Sequence, residues 1–226
     1  MEVIRLESVS KIFGKGKSAV PALTSIDLTI QKGEFIAIIG PSGSGKSTLL
    51  HTIGGLEAPT KGIVKVEGQP IYSLSDEAIS ILRRRKIGLI FQSFNLVPIL
   101  NVEENIQLPI LLDHQKVDHD YYQDIVDYLG IKDKMYASPS ELSGGQQQRV
   151  AIARSLIHKP AYILADEPTG NLESKTSEDV ISLLQLTAQR YKQTVIVVTH
   201  DMKIADRANR VIEIEDGLIK KDVSYA

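Results

Sequence analysis

Residues 35–48 read FIAIIGPSGSGKST, an apolar strand-like run that breaks into glycines and continues as the helix-forming stretch KSTLLHTIGGL, 46–56. The segment GPSGSGKST (40–48) matches G-x-x-x-x-G-K-[ST] in the strand–loop–helix context that the pattern requires. Glycines let the backbone curl so that several N–H groups converge on a phosphate. Gly40, Pro41, Ser42, Gly43, Ser44 and Gly45 are therefore candidate phosphate binders. Lys46 places a positive charge on the β and γ phosphates of a nucleotide, and Ser47 and Thr48 complete the grip, the Ser47 hydroxyl being suited to Mg²⁺. A glycine-rich turn with an incidental lysine is the plainer alternative, which the flanking strand and helix disfavour.

A second run, YILADEP (162–168), carries an apolar strand to its C-terminal edge and ends in two acids. Ligands bind at that edge in open α/β sheets. Asp166 is the candidate that steadies Mg²⁺ through its water shell, and Glu167 the one that polarises an attacking water. Phosphoryl transfer rests on placing water in line and neutralising charge, so His200, at the end of TVIVVTH (194–200), is the candidate polar contact to the γ-phosphate. His51, His114, His119 and His158 have no metal-ligand spacing and read as structural or surface residues.

The stretch LSGGQQQR (142–149) poses a further question. Ser143, Gly144, Gly145 and Gln146 read as a helix N-terminus able to hold an anion, yet a phosphate loop already exists a hundred residues earlier. Ser143 with Gln146 also fits a capping box, the signature of an ordinary well-capped helix. The anion reading is resolved physically if the segment faces the nucleotide of a second subunit.

With 226 residues and 42% hydrophobic content, the chain supports one domain with an insertion. Its formal charge of −2 gives no general attraction to nucleic acid or acidic lipid. The run Arg83-Arg84-Arg85-Lys86 reads as the solvated end of a helix, or alternatively as a rim near lipid headgroups or an acidic partner. No cysteine is present, which excludes disulfides and thiolate chemistry. The longest apolar runs are strand length, and the first ten residues hold no apolar signal core, so any membrane role is expected to come through a partner.

Apolar runs bounded by turn residues predict strands near 3–9, 23–30, 34–39, 62–67, 87–91, 161–165, 194–199 and 210–215. A helix is predicted over 118–130, with Tyr121, Tyr122, Ile125, Val126 and Leu129 on one face and a stop at Gly130. The first third is strand-rich and the remainder alternates strand and helix. This predicts an α/β fold, a parallel sheet beside an antiparallel portion, with a helical lobe at about 93–146 inserted in the core.

The ordered set GPSGSGKST, Gln92 after IGLIF, LSGGQQQR, YILADEP, NLES (171–174) and His200 resembles the ATP-binding cassette (ABC) ATPases over essentially the whole chain. The resemblance implies a P-loop NTPase with a RecA-like core, an antiparallel β subdomain and an inserted helical subdomain, acting as a single domain over 1–226. It implies ATP and Mg²⁺ as ligands and a head-to-tail homodimer in which Ser143, Gly144, Gly145 and Gln146 complete the other subunit's site. Gln92 would link Mg²⁺ and the attacking water to the helical lobe, where a membrane partner docks near Ser93–Leu100. Phe13 stands where the family usually stacks a tyrosine on adenine, and a phenyl face still stacks. Glu173 stands where the loop usually ends in aspartate.

DEPTGNLES with FQSFNLVPILNVEENIQLP (91–109) is similar to the LolD, MacB and FtsE subfamily, and within it to Gram-positive BceA-type ATPases. Such ATPases sit on the cytoplasmic face of the membrane and work with FtsX/MacB-type permeases on peptides, drugs, lipoproteins or wall-enzyme signals. The alternatives are a soluble ABC ATPase acting on DNA or ribosomes and a low-turnover nucleotide-gated clamp. One cassette without a heptad run or basic tail argues against a nucleic-acid partner.

Overall fold

Branched apolar residues run without a polar break through FIAII, YILAD and TVIVV, the pattern of strands buried on both faces. In the computed structural model, which describes residues 1–225, these runs form the centre of the larger of two sheets. The N-terminal part supplies β1 (Glu2–Phe13), β2 (Val20–Gln31) and then β3 (Phe35–Ile39), which leads through the glycine loop into helix α1 (Lys46–Ile53). There follow β4 (Lys61–Val66), β5 (Gln69–Pro70), α2 (Asp76–Lys86) and β6 (Ile87–Phe91). Three helices come next, α3 (Val102–Leu112), α4 (His119–Tyr128) and α5 (Gly144–Leu156). The chain closes with β7 (Tyr162–Asp166), α6 (Ser174–Arg190), β8 (Thr194–Val198), α7 (Met202–Ala205), β9 (Arg210–Glu215) and β10 (Leu218–Ser224).

The smaller sheet is antiparallel in the order β2-β1-β4-β5, and the larger runs β10-β9-β3-β8-β7-β6. Within the larger sheet β9, β3, β8, β7 and β6 are parallel, and β10 adds antiparallel at the edge. The expected α/β class, a parallel sheet with an antiparallel portion beside it, is what the chain adopts. Period-2 alternation divides the interior in two. Ile36, Ile38, Leu164, Ile196 and Val198 face the antiparallel sheet and α1, whereas Phe35, Ala37, Ala165, Val195 and Val197 face the helices.

Register places the chemistry. Phe91 pairs with Asp166, Asp166 with Val198, and Val198 with Ile38. Four strands thus end level at one C-terminal edge, and the residues that follow them, Gly40, Gln92, Glu167 and His200, emerge side by side.

Between β6 and β7 the described residues hold helices and no strand. Helix α4 is capped by Asp118, whose side chain accepts from the Tyr121 N–H, and buries Tyr122, Ile125 and Val126. It is tied to α6 through Asp124, which accepts from the Tyr191 hydroxyl at 2.6 Å and pairs with Arg190. Helix α5 runs on past 146 to Leu156 and lies against β6 so closely that a Cβ at Gly88 would fall 2.5 Å from the Ser155 carbonyl oxygen.

Two readings need correction. Arg83–Lys86 does end a helix, but the run is not simply solvated. Arg84 and Arg85 both donate to Asp113 at the C-cap of α3, at 3.0 and 2.8 Å, and hold its carboxyl below the usual range. Arg83 donates to the Gly55 carbonyl at 2.7 Å. Strands β5 and β10 were not expected, since β10 carries Lys220, Lys221 and Asp222, the charge pattern of an edge strand.

His158 gives the fold an acid sensitivity. Its Nε2 lies 3.2 Å from the Ile87 carbonyl, and burial pushes the imidazole down to about 4 against the opposing pull of the Ile87 and Arg154 backbone. The unfolded chain takes up this proton near pH 6.5, whereas the folded chain stays neutral down to about pH 4. Stability is therefore full above that window and falls within it, by about 2 kcal/mol between about pH 7.5 and about pH 5. Urea unfolding of His158→Gln at both pH values checks this, and its acid loss is expected to be smaller by that amount.

Candidate nucleotide-binding and catalytic site

The loop after β3 needs its glycines for closeness as well as for dihedral freedom. Gly40 has φ 147° and a Cβ there would lie 2.0 Å from the Ile214 carbonyl oxygen, while Gly45 has φ 106° and its Cβ would meet the Ala22 carbonyl at 2.3 Å. The loop lines a cleft of about 340 Å³ formed by Ala22, Gly40, Ser42–Thr48, Glu167 and His200. Three features fit this cleft to phosphate. The Ser44 hydroxyl is buried without a partner, the N–H groups of the first turn of α1 open onto the loop, and the mostly buried Lys46 donates to the carbonyls of Gly40 at 2.9 Å and Pro41 at 2.7 Å. A larger cleft of about 540 Å³ beside Lys32, Phe35 and Lys192 has no carboxylate or histidine in its lining, whereas the smaller one gathers Lys46, Ser47, Glu167 and His200.

Ser47 donates to Asp166 Oδ1 at 3.0 Å. One hydroxyl beside one carboxylate suits Mg²⁺, which keeps most of its waters. Burial holds the Asp166 carboxyl above its usual range, opposed by the Ser47 hydrogen bond and by His51. A cation at this position would reverse that shift. His51, read from sequence as structural or surface, has its Nε2 3.6 Å from Asp166 Oδ2. Its spacing of one helical turn from Ser47 was the available signal.

Glu167 follows β7 with φ 46°, a conformation unusual for a residue with a side chain, while its N–H donates to the Val198 carbonyl at 2.9 Å and continues the ladder. The turn aims its carboxylate into the cleft, where Oε2 lies 2.9 Å from His200 Nδ1. An acid that can take a proton from water therefore stands beside a polar group at the phosphate cleft.

The other predicted residues lie outside the lining of that cleft. Phe13 ends β1, 42% exposed, with Lys11 Nζ 4.9 Å from its ring centroid. Gln92 is exposed and paired with Asn171, a contact that sequence reasoning missed. Ser143–Gln146 form the capping box, Gln146 N–H to Ser143 Oγ at 3.3 Å and Ser143 N–H to Gln146 Oε1 at 2.9 Å. Capping engages the third N–H of α5, and those of Gly144 and Gly145, the latter buried, have no acceptor within the helix. The two glycines also permit packing, since a Cβ at Gly144 would lie 3.0 Å from Leu172 Cδ2 and one at Gly145 2.5 Å from Thr176 Cγ2.

A phosphate loop, an acidic strand end and a parallel sheet with an antiparallel partner define the class, a P-loop nucleotide-binding cassette. The family profile described as ABC transporter matches residues 23–170. The chain is 44% identical over 220 residues to the uncharacterized ABC transporter ATP-binding protein YknY of Bacillus subtilis, covering 96% of this chain and 95% of that one. It is 43% identical over 221 residues to the macrolide export ATP-binding/permease protein MacB of Bdellovibrio bacteriovorus, covering 97% of this chain but 34% of that longer protein. Among solved structures, the dimeric post-hydrolysis state of the ATP-binding cassette MJ0796 bound to ADP and Pi superposes with a TM-score of 0.87 at 39% identity over 99% of both chains. The chain belongs to the ABC transporter family, as an ATP-binding cassette of the kind found in MacB and YknY.

Proposed function

We propose that this cassette is an Mg²⁺-dependent ATPase that dimerises head to tail on ATP and drives an FtsX/MacB-type permease from the cytoplasmic face of the membrane. The observation that carries the reading is the level strand edge, which sets the Ser47–Asp166 pair and the Glu167–His200 pair at one phosphate cleft. Gly40–Gly45 and Lys46 grip the phosphates, with Thr48 beside them. Ser47, Asp166 and Gln92 would hold Mg²⁺, which would supply positive charge to offset that of the phosphates. Glu167 takes the proton of the attacking water, and His200 contacts the γ-phosphate and orients Glu167. Phe13 stacks on adenine. Ser143, Gly144, Gly145 and Gln146 complete the partner's site with the donors that capping leaves free.

The whole chain acts as one domain whose helical lobe, about residues 93–146, carries nucleotide state to the permease near Ser93–Leu100. The 90% exposure of Ile99 supports that contact. No helix among the described residues is long and apolar enough to cross a membrane, which is consistent with a permease supplying the span.

Phosphate release from ATP by the purified protein, with and without EDTA, tests the proposal together with ATP binding by Lys46→Ala. Turnover is expected to vanish with EDTA, and the variant to bind ATP roughly 10–10²-fold more weakly, the worth of a charged hydrogen bond. Turnover indifferent to EDTA and to Lys46→Ala would refute it.

A further inference from the structure

Gln92 must offer a cation its oxygen, because the amide nitrogen carries only donors. Its two ends are alike in size and nothing in the side chain itself selects one. Asn171 makes the selection by a chain of necessity. The Asn171 Nδ2 donates to the Gln92 backbone carbonyl at 3.0 Å, and a carbonyl can only accept, so this end of Asn171 is determined. Its Oδ1 then faces the Gln92 side chain, which must answer with Nε2, and that donor lies 3.2 Å away. Gln92 Oε1 makes no hydrogen bond among the described residues and is left for another partner.

The space for this arrangement is made by the preceding residue. A Cβ at Gly170 would lie 2.6 Å from Gln92 Nε2, 2.9 Å from Cδ and 3.2 Å from Cγ, so only glycine there admits the side chain in this pose. The pair stands at the active edge, since Phe91 is level with Asp166 in the β6–β7 ladder and Gln92 follows it. Leu172, next to Asn171, packs on Gly144 at the start of α5, which fastens the loop that carries Asn171.

We infer that Asn171, with the clearance given by Gly170, is a positioning residue that sets the orientation of the Gln92 amide and so presents its oxygen to the metal of the nucleotide site. The inference rests on the reading of Gln92 as a metal-site residue. Asn171 touches neither nucleotide nor metal in this account and acts only through Gln92.

The test is the affinity for Mn²⁺, measured by electron paramagnetic resonance in the presence of a non-hydrolysable ATP analogue, for the wild type, Gln92→Ala, Asn171→Ala, Gly170→Ala and the double variant Asn171→Ala/Gln92→Ala. The metal Kd is expected to rise about 3–10-fold in Asn171→Ala, the worth of lost neutral hydrogen bonds, and in the same direction in Gly170→Ala, which crowds the amide instead of releasing it. The double variant is expected to bind no more weakly than Gln92→Ala alone. Affinity retained in Asn171→Ala while Gln92→Ala loses it would overturn the inference and leave the Gln92 reading intact. Additive losses in the double variant would also overturn it, because Asn171 would then act by another route. An unchanged Kd in Gln92→Ala would remove the premise and overturn both. Asn171 is exposed, so its truncation opens no buried cavity, and thermal unfolding of each variant separates loss of its tie to the Gln92 backbone from a misdirected amide.

Discussion

Glu167→Gln is expected to lower ATP turnover roughly 10²–10⁴-fold, the usual worth of a positioned acid–base group, while ATP binding changes little. The substitution preserves shape. A glutamine oxygen still accepts from His200 Nδ1, so the 2.9 Å contact and the strained turn at φ 46° that aims the side chain are kept. What is lost is the capacity to take a proton. Because the proposed phosphate grip lies in Gly40–Lys46, a separate segment of the same cleft, binding and hydrolysis are expected to come apart in this variant. Single-turnover phosphate release beside equilibrium ATP binding measures the two, and an unchanged rate would remove Glu167 from the mechanism.

The second large effect concerns Ser143→Arg. In the isolated chain, Ser143 caps α5 and stands outside the lining of its own phosphate cleft, so the substitution is expected to cost the monomer only the loss of a cap, about 1 kcal/mol. In the proposed head-to-tail dimer the same residue would lie against the partner's nucleotide. A bulky side chain forced into a packed contact costs about 1–3 kcal/mol, and two-fold symmetry applies the cost twice. Dimer affinity should therefore fall by about 2–6 kcal/mol, or from roughly 30-fold to more than 10⁴-fold, with monomer ATP binding nearly intact. Sedimentation of the variant at several protein concentrations gives the dimer affinity, and equilibrium ATP binding at low protein concentration gives the monomer's.

Much of this site was legible because its signals are local. FIAII and TVIVV are apolar on both faces because helices cover one side of the sheet and the antiparallel strands the other. The phosphate loop and the Ser143 capping box are each contained within a few consecutive residues. Strand β10 escaped because edge position, which excuses its lysines, is a property of the sheet and not of the segment. The Asp216-Gly217 turn before it, with φ 50° and 72°, was the hairpin signal available. His51 and Asn171 needed tertiary knowledge. Asn171 meets Gln92 across 79 residues, and only the pairing of β6 with β7 brings them together. Glu173 occupies the N-cap of α6 without a side-chain capping bond, in keeping with the preference of that position for the shorter Asp, Asn, Ser and Thr.

The mass in solution, by light scattering, of Glu167→Gln with and without ATP and Mg²⁺, beside the double variant Glu167→Gln/Ser143→Arg, decides whether ATP closes two cassettes head to tail. ATP is expected to move Glu167→Gln from the 24.9 kDa monomer to twice that mass, while the double variant stays monomeric with ATP bound. A Glu167→Gln protein that remains monomeric when saturated with ATP, or a dimer indifferent to Ser143→Arg, would contradict head-to-tail closure on ATP.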